Sequence, residues 1–192
     1  MDYSASQIES IVRQVLEGMN NGGQKHECKC GGNCKCGGHG HSHGGALPKT
    51  AHVALLTGEK KIEVKEFPIP ELGDNDILVK VEGAGVCGTD VHEWKSDPFG
   101  LIPVTLGHEG TGEVVAVGKN VKFDTAGKPI GVGDKIVTSV ISCGDCYACR
   151  MVPGRTNLCD KQGIFGLISD SEDKHLNGWF ASHLLISAKG AT

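Results

Sequence analysis

The sequence predicts a mainly β domain of short strands, a barrel or sandwich, reached through an amphipathic helix and a low-complexity tether. Three observations predict it. Short apolar runs broken by glycine turns fill the chain from Pro48 onward, and 29 of the 192 residues are glycine, a punctuation that suits a sheet folded on itself. No Gly-x-Gly-x-x-Gly stands between a strand and a helix, so the phosphate cradle of a dinucleotide site is missing. The nine cysteines are clustered, which in a reducing compartment points to metal binding more often than to disulfides.

The elements fall into three segments: residues 1–20, 21–47 and 48–192. In the first, Ile8, Ile11, Val12, Val15, Leu16 and Met19 recur at helical spacing and form one apolar stripe over residues 4–19. Ser6 and Glu9 have the spacing of a capping box, and Gly18, Asn20 and Gly22 stop the helix. So short a helix is marginal alone in water, so its stripe needs a partner, either its own domain or another protein's groove. The second segment gathers Cys28, Cys30, Cys34, Cys36, His39, His41 and His43 among glycines. It lacks the apolar residues for a core and reads as a flexible tether whose thiolates and imidazoles suit zinc or copper(I). In the third, Val53–Leu56, Ile62–Glu66, Ile77–Val81, Gly112–Gly118 and Lys135–Val137 are the strand candidates.

Composition excludes several function classes. A net charge of -4 leaves no basic footprint for nucleic acid. No apolar run approaches the roughly 20 residues of a membrane-spanning helix, and no secretory pattern opens the chain. A cytoplasmic protein is the expectation.

Two constellations carry chemistry. Cys143, Cys146 and Cys149 stand at Cys-x-x-Cys-x-x-Cys spacing, with Cys159 beyond. Four thiolates match the charge and tetrahedral geometry of a closed structural zinc site, and an iron–sulfur cluster is the competing reading. The second constellation is Gly85-Val86-Cys87-Gly88-Thr89-Asp90-Val91-His92 followed by Gly107-His108-Glu109-Gly110. A thiolate and an imidazole from different loops, backed by carboxylates, are the ingredients of a catalytic zinc site with an open position. Thr89 and His92 are placed to pass a proton outward, and Asp90 to orient His108.

Together with Val132-Gly133-Asp134-Lys135-Ile136-Val137 and Gly178-Trp179-Phe180-Ala181-Ser182-His183, these motifs resemble the medium-chain zinc-dependent alcohol dehydrogenases, from about Thr50 to the end of the chain. The resemblance implies a GroES-like, partly open β-barrel with a zinc-binding lobe. It implies catalytic zinc on Cys87 and His108 with Glu109 beside it, a Thr89–His92 proton relay, and structural zinc on Cys143, Cys146, Cys149 and Cys159. An alcohol or aldehyde substrate, NAD(P) and a homo-oligomer at full length are implied as well. The nicotinamide would be held by a Rossmann domain that should follow the residues near Ala188, together with a further zinc ligand. A chain ending at Thr192 is therefore expected to be inactive alone. Residues 4–19 resemble the encapsulation peptides that bring enzymes into bacterial microcompartments, implying shell or cargo as a partner. Two departures from the family pattern are an expanded stretch Arg150–Leu158 and an insertion-like segment Phe123–Ile130. Two other classes stay open: a non-catalytic zinc-binding scaffold, and a metal-handling protein whose working part is the tether.

Overall fold

The computed structural model describes residues 47–152, 154–170 and 175–187. The amphipathic helix and the Cys/His/Gly-rich tether expected before Pro48 lie outside the described residues. The elements, in chain order, are β1 (Thr50–Gly58), β2 (Lys61–Pro68), β3 (Ile77–Gly85), α1 (Gly88–Ser96), β4 (Val104–Thr105), β5 (Glu109–Val117), β6 (Lys135–Val137), α2 (Tyr147–Met151), a 3₁₀ turn at Thr156–Leu158, and β7 (His183–Ile186). All five strand candidates form. Helix α1 and the short elements β4, α2 and β7 are additions to that reading.

The strands make two antiparallel sheets, ordered β2-β1-β4 and β6-β5-β3-β7. One stretch of chain belongs to both. Phe180 O accepts the Ala54 N–H at 2.8 Å, Val53 bridges Ala181, and the Ser182 N–H reaches His52 O at 2.8 Å. The same chain then runs on as β7 and pairs with Ile77–Lys80 of β3. This shared stretch joins the sheets into the partly open barrel the sequence predicts.

Alternation decides which faces are buried. On β1, Ala51, Val53 and Leu55 point inward with Leu176 and Ala181, and Phe67 of β2 packs on them. Val79, Phe165, Trp179 and Leu184 form a second cluster, and Leu56, Val104 and Leu106 a third that Trp94 of α1 and Phe180 cover. Trp179 is 1% exposed, and its indole N–H donates to Thr138 Oγ1 at 2.9 Å, so the largest buried side chain also has its polar atom satisfied. The insertion-like segment Phe123–Ile130 is a tight hairpin. Phe123 bridges Pro129, and Asp124 Oδ1 accepts the N–H groups of Ala126 and Lys128.

No helix among the described residues is long and apolar enough to cross a membrane.

Candidate metal centres

The first centre is assembled where β3 gives way to α1 and β4 to β5. Cys87 is the residue before the first helical turn, with extended backbone at φ −90° and ψ 159°. Asp90, one turn on, folds back so that its Oδ2 accepts the Cys87 N–H at 2.8 Å. This satisfies a donor that the helix leaves without an internal partner. The other carboxylate oxygen of Asp90 accepts the Gly107 N–H at 3.2 Å and lies 3.5 Å from His108 Nδ1. A side chain only 3% exposed thus ties the helix start to the loop carrying the histidine.

Gly107 makes that loop possible. Its φ is 92°, and a Cβ there would sit 2.6 Å from the Phe180 ring. The next two residues bring their side chains to the site. His108 is 15% exposed at its side chain, and its buried Nδ1 makes no hydrogen bond of good geometry. The nearest carboxylate oxygen to that nitrogen is Asp90 Oδ1 at 3.5 Å. Glu109 opens β5 opposite Gly85, and a Cβ on Gly85 would fall 2.8 Å from Glu109 Oε2, so the glycine leaves room for the carboxylate. One donor atom each from Cys87, His108 and Glu109 lies within 4.8 Å of the others. Thr89 Oγ1 is 3.7 Å from Cys87 Sγ, while His92 lies on the same helix, three residues further on and exposed.

The second centre is the lobe between β6 and β7. Cys146 caps α2, Cys149 lies within that helix, and Cys159 follows the 3₁₀ turn. Backbone N–H groups of Asp145 and Cys146 point at Cys143 Sγ (3.4 and 3.3 Å), and those of Cys143 and Lys161 at Cys159 Sγ (3.3 and 3.4 Å). These donors favour thiolates. The Asp145 and Cys146 N–H groups bring the Cys143 thiol down to about 6, and the Asp160 and Cys149 N–H groups lower Cys146. Cys149 moves the other way, pushed up to about 12 by burial and by the sulfur of Cys146.

Thiols crowded this closely need either a proton or a cation between them. The donor set fits zinc. Ligands about 2.3 Å from a tetrahedral zinc stand about 3.8 Å apart, and here Cys146–Cys149 and Cys143–Cys149 are separated by 3.5 and 3.9 Å. All four sulfurs lie within 4.8 Å of one another.

Among the described residues the metal-ligand candidates fall in two groups, Thr89 and Asp90 touch the first, and His92 is exposed on the same helix; the tether's cysteines and histidines lie outside the described residues. Sequence reasoning missed the roles of Gly107 and Phe180. The only early signal was that both lie inside recognised motifs.

Fold and sites together define a β-barrel domain of the zinc-dehydrogenase type. Residues 73–192 match the alcohol dehydrogenase GroES-like domain, and the chain belongs to that family, whose members are zinc-dependent and use NAD(P). It is 35% identical over 138 residues to L-galactonate-5-dehydrogenase of Escherichia coli K12, covering 71% of this chain and 36% of that protein. It is 38% identical over 144 residues to L-threonine 3-dehydrogenase of Serratia proteamaculans, covering 72% and 38%. Among solved structures, an alcohol dehydrogenase from Thermotoga maritima superposes with TM-score 0.64 at 37% identity, covering 72% of this chain and 39% of that one. A zinc-binding dehydrogenase from Sinorhizobium meliloti 1021 bound to NADP gives TM-score 0.56 at 35% identity, covering 74% and 37%. The chain thus spans little more than a third of the length of these relatives.

Proposed function

We propose that this chain supplies the zinc and alcohol side of an NAD(P)-dependent dehydrogenase that interconverts a small alcohol with its aldehyde or ketone. The observation that supports it best is the convergence of Cys87, His108 and Glu109 on one point, with Asp90 bracing the imidazole. Cys87 and His108 hold the catalytic zinc, and Glu109 stands beside it. Zinc held there supplies Lewis acidity toward an alcohol or carbonyl oxygen. Asp90 keeps the His108 ring in one orientation. The Thr89 hydroxyl receives the substrate proton and His92, at the exposed end, passes it to water. Cys143, Cys146, Cys149 and Cys159 hold a structural zinc that takes no part in the chemistry.

The test is alcohol-dependent nicotinamide reduction by the native gene product isolated from its own cells, with Thr89→Val beside it. The expected result is turnover that falls at least tenfold in the variant, with zinc content unchanged. Equal turnover in both proteins would contradict the relay.

The surrounding proposals follow from the sequence. Residues 4–19 dock on microcompartment shell or cargo in the cytoplasm, and the complete enzyme is a homo-oligomer. A fluorescent protein carrying residues 1–20 should form puncta in cells that build such compartments, and a diffuse signal would count against docking. A tether that handles metal predicts more than two metal ions per chain, with the excess over the two barrel zincs lost when residues 24–45 are deleted, and an unchanged metal count would reject it.

A further inference from the structure

Helix α1 buries two acidic residues, Asp90 and Glu93, and they are treated differently by their surroundings. Asp90 finds backbone donors for both its oxygens. Glu93 is 0% exposed, and only its Oε1 has a donor, the Phe99 N–H at 3.3 Å. Its Oε2 is buried without a hydrogen-bond partner. The neighbour acting on that side chain is the carboxyl of Asp97, one helical turn on, whose own Oδ1 accepts the Leu101 N–H at 2.6 Å. Asp97 has left-handed backbone (φ 44°), donates its N–H to Glu93 O at 3.1 Å and accepts the Gly100 N–H on its carbonyl at 3.0 Å.

Two ionised carboxylates are both acceptors and cannot pair. They would also sit at the negative end of the helix dipole, with Glu93 buried and Asp97 half-buried beside it. One proton between them removes the conflict, because an O–H on Oε2 donates to Asp97. We propose that Glu93 is protonated at neutral pH and that the proton it shares with Asp97 latches the Asp97–Leu101 turn to the end of α1.

Two other features agree. Burial, and after it the Asp97 carboxyl, raises Glu93 above the ordinary carboxylate range. From the β1–β2 turn, the group that reaches this end of the helix is the Lys60 backbone N–H, on Trp94 O at 2.6 Å, and Lys60 itself is exposed. The latch holds the far end of the helix that carries Thr89, Asp90 and His92, so proton loss frees the helix end without touching a metal ligand.

The sign follows from linkage. A carboxyl raised in the folded state contributes stability below its unfolded value, and that contribution is lost as pH rises through the folded one. The experiment is infrared spectroscopy of the zinc-loaded chain in D₂O across pH, together with thermal melts of wild type and Glu93→Gln. A protonated-carboxyl stretch should be present at neutral pH in wild type and absent in the variant. The variant should melt close to wild type near pH 4 and above it by roughly 3–6 °C near pH 9. Absence of that band at every pH where the chain is folded would overturn the latch, as would a melting difference that does not change with pH. Should Glu93→Gln fail to fold, Asp97→Asn replaces it. Removing the neighbouring charge should move loss of the band to lower pH, and an unchanged titration would overturn the latch.

Discussion

The two metal centres of this chain hold their donors by opposite means. At the Cys87 centre each donor stands at the end of a regular element or in a loop pinned to one, and the bracing residue Asp90 is buried in the first turn of α1. At the four-cysteine lobe there is a five-residue helix and a 3₁₀ turn, and Tyr147, Met151 and Leu158 remain exposed. Its inward hydrogen bonds run from backbone N–H groups to the sulfurs themselves. The first centre is a product of the fold and can spend its donors on chemistry. The second has too little core to fold alone, so metal binding and local folding are one event.

The sharpest way to break this contrast is to remove one thiolate from each centre. Cys146→Ser should lose a full equivalent of zinc and leave residues 143–159 open to proteolysis, while Cys87→Ser loses its zinc and keeps the barrel's melting temperature within a few degrees. Equal falls in thermal stability would put the two centres on the same footing.

Next in size is Gly107→Ala. It forces a side chain onto backbone at φ 92° and into the Phe180 ring, which should cost about 2–4 kcal/mol in denaturant unfolding. A neutral result would mean that the loop before His108 is not set by the barrel. Asp90→Asn keeps the bulk but replaces one acceptor with a donor facing N–H groups. A loss of about 1–3 kcal/mol is expected, with weaker zinc binding at the Cys87 centre and unchanged zinc binding at the lobe.

The smallest effect is on the pH axis. Burial, and then the nearby Lys80, hold His183 of β7 down to about 4. A base lowered in the folded state is protonated first in the unfolded chain. Its share of stability is therefore complete above about 6.5 and is lost as pH falls from there toward 4. Screening at a half-buried site keeps this share to about 1 kcal/mol. Melts of wild type and His183→Gln between pH 7 and 5 should converge as the wild type loses that contribution, and parallel curves would assign the acid sensitivity elsewhere.

What was legible in the sequence follows the same division. The lobe could be read from spacing alone, because four cysteines close in sequence needed no distant contact to meet. The strands of the barrel were legible where apolar residues alternate or run together, as in Ile77–Val81. Helix α1 was not read as a helix, because the residues it buries are Asp90 and Glu93, and a polar buried face leaves no hydrophobic period. The packing of Gly107 against Phe180 was equally hidden, since it joins two distant motifs and exists only once the shared stretch closes the sheets. Cys87, His108 and Glu109 were singled out by their residue types and assigned as ligands by family resemblance, and their proximity became visible only with the fold.

The most direct measurement is zinc per chain by native mass spectrometry, on the wild type and on Cys87→Ser and Cys146→Ser, with residues 24–45 deleted from all three. Two ions in the wild type and one in each variant, with the lobe folded only where Cys146 is present, is the result expected of two independent centres. A single ion in the wild type, or loss of both ions from either variant, would contradict it.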